Sequence, residues 1–156
     1  PKNWILKIYG PVSDTKYLKE IKNKIEILSL NENVRLFDPV FDNEKKEQIF
    51  LNSDCFLLPS KSENFGMSIV EALSYGIPVL TTEGTPWAVL AKINGGKIIN
   101  FSQENLTISL KEILNMRDEE LISMGSNGRN YLLKNFDMEN IIKDYIEFYR
   151  DVYSND

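Results

Sequence analysis

Short apolar runs closed by Gly, Pro or Asn alternate along the chain with longer stretches whose apolar residues recur every three to four positions. Runs of the first kind suit buried strands, and stretches of the second suit helices that cross back over a sheet. The pattern predicts strands over residues 5–9, 34–37, 55–58, 79–82 and 97–99, with helices over 15–28, 44–52, 68–75 and 87–93. Strand and helix alternating in this way specify an α/β fold, a Rossmann-like parallel sheet with helices on both faces.

From Gln103 to about residue 154 the period is helical throughout. Leu106, Leu110, Ile113 and Leu114 share one face, and Leu121 and the 131–136 run follow. Met138, Ile142, Tyr145, Ile146 and Tyr149 form an apolar stripe, for which core or interdomain packing is the expectation. No repeat or internal linker interrupts the pattern, so residues 1–156 are expected to form one domain with a helical tail.

One connection stands out chemically. Leu57-Leu58 leads through Pro59-Ser60-Lys61-Ser62-Glu63-Asn64-Phe65-Gly66 into a helix that stops at Gly76, with Pro78 barring its continuation. A loop that leaves the carboxyl end of a parallel strand and enters a helix at a glycine turns free backbone N–H groups, and the positive end of the helix dipole, towards the sheet edge. That arrangement binds anions. Gly66 is expected to leave room for the anion, and Met67 and Ser68 to supply the amides. Glu63 and Glu71 flank the connection. Either acid alone is explained by the helix dipole, worth ~0.3–1 kcal/mol. Placed around an anion loop, the pair offers acceptors for hydroxyl groups on both sides of a diphosphate, Glu71 for a ribose and Glu63 for a sugar.

Composition removes several alternatives. The chain holds no histidine, which excludes serine–histidine, cysteine–histidine and histidine-ligated metal chemistry within these residues. A net charge of -5 argues against a broad nucleic-acid footprint. Cys55 is the one cysteine, so no internal disulfide forms; an apolar neighbourhood marks it as a buried thiol and a reducing, cytoplasmic setting as the expected compartment. No apolar run approaches the roughly 20 residues that span a bilayer. The chain opens at Pro1-Lys2-Asn3 directly before a strand, with nothing resembling a secretory signal, and this abrupt start predicts an N-terminal truncation.

The run Pro59-Ser60-x-x-Glu63-x-Phe65-Gly66, then Glu71-Ala72, then Gly76-x-Pro78-Val79, resembles the glutamate-x7-glutamate signature of glycosyltransferase family 4, a group with the two-domain GT-B fold. Asn33-Val34-Arg35-Leu36-Phe37 and Ser53-Asp54-Cys55-Phe56-Leu57 resemble the strand entries that precede that signature, and the similarity runs from about Trp4 to Asn100. The resemblance implies the C-terminal, donor-binding half of a retaining, nucleotide-sugar-dependent transferase. Glu63 would be the catalytic-site acid that contacts sugar hydroxyls, and Glu71 would bind the ribose. Asn64, Phe65, Gly66, Met67 and Ser68 would complete the donor site, with the amides of Met67 and Ser68 on the diphosphate. The base would lie near Asp38, Val40 and Phe41, although the family commonly has glycine where Asp38 stands. Gly84-Thr85-Pro86-Trp87 resembles a loop of one branch of the family, and by itself reads as a proline-started helix with Trp87 as a packing anchor.

In the family, an arginine and a lysine that clamp the diphosphate precede the segment matched here, and a separate domain binds a glycan or lipid-linked acceptor. Acceptor recognition and any peripheral membrane contact would belong to that other half. No metal and no cofactor is implied, the nucleotide sugar being a substrate. Two rival readings are a sugar-nucleotide epimerase of the same architecture and a non-catalytic nucleotide-binding scaffold module. Glu63 as a covalent nucleophile is a further option, but a hydroxyl-binding acid fits the departure of a nucleoside diphosphate better.

Overall fold

The computed structural model describes residues 4–154. Its elements are β1 (Leu6–Tyr9), α1 (Thr15–Ile27), β2 (Val34–Phe37), α2 (Asn43–Leu51), β3 (Phe56–Leu58), α3 (Met67–Ser74), β4 (Val79–Thr82), α4 (Val89–Lys92), β5 (Gly96–Ile99), α5 (Gln103–Asn115), α6 (Asp118–Asn135) and α7 (Met138–Ser154). All strand pairs are parallel, in a two-stranded sheet β1-β2 and a three-stranded sheet β3-β4-β5. This is the α/β class the hydrophobic pattern predicts, with the helical tail in place. The chain divides into two compact units, Pro1–Ile49 and Phe50–Asp156.

In the first unit β1 and β2 pair from Leu6 opposite Val34 to Tyr9 opposite Phe37, and the last two rings stack at 4.8 Å. Asp14 caps α1 by accepting from the Lys16 and Tyr17 amides, the usual way a helix start satisfies its orphan donors.

In the second unit the middle strand β4 is wholly buried. Its side chains alternate between faces. Val79 joins a cluster with Ile69, Ala72 and Leu73 of α3, Trp87, Leu90 and Leu132. Leu80 joins a second cluster with Ile99 and Ile113, against which Leu57, Leu106, Leu110 and Leu121 pack. Helices therefore cover both faces of this sheet. The two β4 threonines are satisfied by donating across to the strand and loop beside them, Thr81 to the Leu58 carbonyl at 2.8 Å and Thr82 to the Ser60 carbonyl.

Cys55 retains some accessible surface, yet it packs against the Leu80 cluster and its Sγ lies 3.7 Å from the Phe56 carbonyl. Burial pushes the thiol up from 9.0 to about 12, with nearby Asp54 adding to the rise and a hydrogen bond from the Leu80 backbone opposing it. A folded-state pKa raised above the unfolded one favours the fold fully below about pH 9, and that contribution is lost as the pH rises towards 12. Because the thiolate is the nucleophile, iodoacetamide at pH 8 is expected to label Cys55 at least about tenfold more slowly in the native chain than in urea. Equal rates would show the sulfur to be accessible.

Two expectations are corrected. The helix over 87–93 shortens to α4, Val89–Lys92, because Trp87 lies in a preceding turn and closes only a three-residue step to the Leu90 amide, 3.0 Å. Of the two alternatives for the stripe on α7, core packing falls for Ile142, Tyr145, Ile146 and Tyr149, which are all exposed within this chain, and interdomain packing is left. The Met138 side chain lies outside the described residues. Among the described residues no helix is long and apolar enough to cross a membrane.

Candidate functional site

The connection from β3 to α3 has the predicted course. Burial of Ile69, Ala72 and Leu73 fixes one face of α3 on the sheet, which leaves Met67 exposed and Glu71 half-buried on the other side. Gly66 caps the helix with φ 77° and ψ 61°, a left-handed conformation that L side chains rarely adopt, and its carbonyl accepts from the Ile69 amide at 2.8 Å. Among the described residues, the amides of Met67 and Ser68 have no protein acceptor. These are the donors that the first turn of any helix leaves for a cap, water or ligand.

The reason for a glycine at 66 differs from the sequence expectation. A side chain there would not stand between an anion and the amides. Its Cβ would point inwards, 3.1 Å from Ile69 Cδ1 and 3.6 Å from Trp87 Nε1. The backbone torsion and the packing beneath the loop demand the glycine.

Glu71 follows Met67 by four residues and Ser68 by three, so it shares their side of the helix, and a helical side chain leans towards its own N-terminus. Glu63 is half-buried in the loop, and its amide donates to the Gly84 carbonyl at 2.9 Å. Asn64 and Phe65 are exposed on the same loop. Six predicted residues besides Glu63 therefore belong to one strand–loop–helix unit: Asn64, Phe65, Gly66, Met67, Ser68 and Glu71. Asp38, Val40 and Phe41 lie in the first unit, just after β2; Asp38 and Phe41 are exposed and Val40 is half-buried.

Trp87 is buried in the core as the packing anchor that the sequence suggests, but its role beneath this loop was not legible. The loop after β4 is stitched to it by the Glu63–Gly84 bond and by Trp87, whose indole N–H donates to the Phe65 carbonyl at 2.6 Å. Trp87 is 2% exposed and packs against the rings of Phe65 and Phe136, centroids 5.5 and 5.6 Å away. Gly84 passes so close that a Cβ on it would lie 2.1 Å from the Lys61 carbonyl oxygen. The only signal in the sequence was the Gly84-Thr85-Pro86-Trp87 run itself.

N-acetyl-alpha-D-glucosaminyl L-malate synthase of Bacillus anthracis is 29% identical over 136 residues, covering 83% of this chain and 35% of that protein. WaaG, a glycosyltransferase involved in lipopolysaccharide biosynthesis, is similar in structure with a TM-score of 0.67 at 28% identity, covering 81% of this chain and 33% of WaaG. Anabaena Alr3699/HepE in complex with UDP shares the fold, with a TM-score of 0.82 at 20% identity over 97% of this chain and 42% of that one. The chain thus spans about a third of the length of the first two. The sequence pattern described as "Glycosyl transferases group 1" matches residues 1–131, and the chain belongs to that family.

Proposed function

We infer that this chain is the C-terminal, donor-binding half of a retaining glycosyltransferase of family 4, with a nucleoside diphosphate sugar as its substrate. The observation that carries the reading is the pair of amides at Met67 and Ser68, which among the described residues have no protein acceptor, follow left-handed Gly66 and stand between Glu63 and Glu71 in the sequence. The UDP and UDP-glucose complexes of Alr3699/HepE, a protein of the same fold, support a nucleotide-sugar ligand.

Transfer requires a nucleoside diphosphate to leave the anomeric carbon through an oxocarbenium-like state. Negative charge grows on the departing phosphate. Amides already aimed at that charge, with the dipole of α3 behind them, stabilise the transition state more than the ground state. The Glu71 carboxylate accepts from ribose hydroxyls and that of Glu63 from sugar hydroxyls, which orients the anomeric carbon. Asp38, Val40 and Phe41 are the residues that the family resemblance offers for the base. No metal or cofactor enters these steps. A polysaccharide or lipid-linked glycan is the acceptor, bound by a domain outside this sequence, and the enzyme works in the cytoplasm, peripheral to the membrane where the acceptor is lipid-linked. The likeness to the O-antigen biosynthesis glycosyltransferase WclY of Escherichia coli, 35% identical over 60 residues that cover 38% of this chain and 16% of that protein, supports a glycan-building role.

Titration calorimetry with uridine, guanosine and adenosine diphosphates tests the reading. Weak binding of at least one is expected, without sugar turnover by the chain alone. Glu71→Ala should weaken that binding by more than ~1 kcal/mol, the worth of hydrogen bonds to a charged acceptor. Flat titrations with all three nucleotides overturn the donor site, and an unchanged affinity in the variant removes Glu71 from it.

A further inference from the structure

We propose that Trp87 is a positioning residue of the donor site, its indole N–H selecting the orientation of the Phe65–Gly66 peptide so that the Gly66 amide faces out beside those of Met67 and Ser68. The inference rests on the donor reading above and adds a residue to it.

In a trans peptide the C=O and N–H bonds point in opposite directions, and the described chain has no cis peptide. The Phe65 carbonyl is drawn inwards by Trp87 Nε1 at 2.6 Å. The Gly66 N–H, on the other edge of the same peptide, is thereby turned away from the buried indole. Without that bond the alternative is cheap, because a peptide preceding a glycine can rotate and the glycine follows on either side of φ zero. The rotated form would bury the Gly66 N–H and present a carbonyl, an acceptor, to the diphosphate. Trp87 suits the task because it cannot itself move: it is 2% exposed, set in the Ile69–Leu73–Leu90 cluster and flanked by Phe65 and Phe136. Packing explains why an aromatic ring stands here. It does not explain why the ring's one polar atom meets a carbonyl of this loop.

Trp87→Phe keeps a packed ring and deletes the donor, whereas Phe136→Leu loosens the packing around Trp87 and keeps it. Binding of uridine, guanosine and adenosine diphosphates, and of the matching nucleosides, is measured for the wild-type chain and both variants alongside thermal melting. Trp87→Phe is expected to weaken the diphosphate at least tenfold while the nucleoside changes less than twofold, with the Gly66 amide resonance no longer responding to ligand. Phe136→Leu is expected to lower the melting temperature and leave the diphosphate affinity within twofold. Equal losses for diphosphate and nucleoside, or losses in both variants that follow their stability, overturn the positioning role. So does an indole proton of Trp87 in the wild-type chain that exchanges with solvent as fast as that of an unfolded control, a measurement independent of any variant. Wild-type chain that binds no diphosphate removes the donor reading together with this one, while wild-type binding with an unaffected Trp87→Phe removes only this one.

Discussion

Gly125→Ala is expected to destabilise the second unit by about 2–3 kcal/mol, against the sign that helix propensity alone gives. Residue 125 lies inside α6, where alanine is better than glycine by ~1 kcal/mol. The opposing effect is steric. A Cβ on Gly125 would stand 1.8 Å from the Gly76 carbonyl oxygen and 3.2 Å from Pro78 Cδ. Neither contact is with the free end of a flexible side chain, so α6 or the turn after α3 must move. Gly128, one turn on, sets a second limit, since its own Cβ would come within 2.6 Å of Leu73 Cδ2. Close packing leaves no slack for such a shift. Urea denaturation of the variant would read the loss directly, and a midpoint equal to or above that of the wild type would mean that α6 slides freely over α3.

The second large effect is expected at Gly84→Ala, and it falls on ligand binding more than on stability. The Cβ would meet the Lys61 carbonyl oxygen at 2.1 Å and the Ser62 nitrogen at 3.2 Å, two main-chain atoms of the loop that carries Glu63. Pushing those strands of chain apart strains the bond from the Glu63 amide to the Gly84 carbonyl. If Glu63 meets the sugar, affinity for the nucleotide sugar should fall by more than about tenfold, roughly 1.4 kcal/mol, while that for the bare nucleoside diphosphate falls less. Parallel losses for the two ligands would place the damage elsewhere in the loop and separate Glu63 from sugar recognition.

Why one part of this architecture can be read from sequence and another cannot is clear from particular residues. β4 and α3 announce themselves because their signals are local, Val79 and Leu80 followed by two β-branched threonines for the strand and Ile69, Ala72 and Leu73 for the helix. Gly76 was legible as a helix stop for the same reason, and it has the left-handed φ of 72° expected of one. Trp87 misled the pattern: an apolar residue after Pro86 scores as a helix start, but its bond to the Phe65 carbonyl, 22 residues earlier, holds it in a turn. α7 was legible as a helix from its stripe, yet a stripe says which side is apolar and not what covers it, and within this chain the side is exposed. Gly66 could be picked out, but the direction in which its absent side chain would point depends on Ile69 and Trp87 and so on the folded loop. Residue types at a site were local information; their support was tertiary.

The main-chain nature of the Met67 and Ser68 donors bears on how such a site is found. Truncating either side chain to a methyl group leaves both N–H groups where they are, so systematic alanine replacement along this turn passes over its principal polar feature. Proline at either position deletes the donor itself while keeping a torsion angle that a first helical turn accepts. A grip of this kind is encoded in shape and not in residue identity, and a survey that scores only side chains leaves it blank.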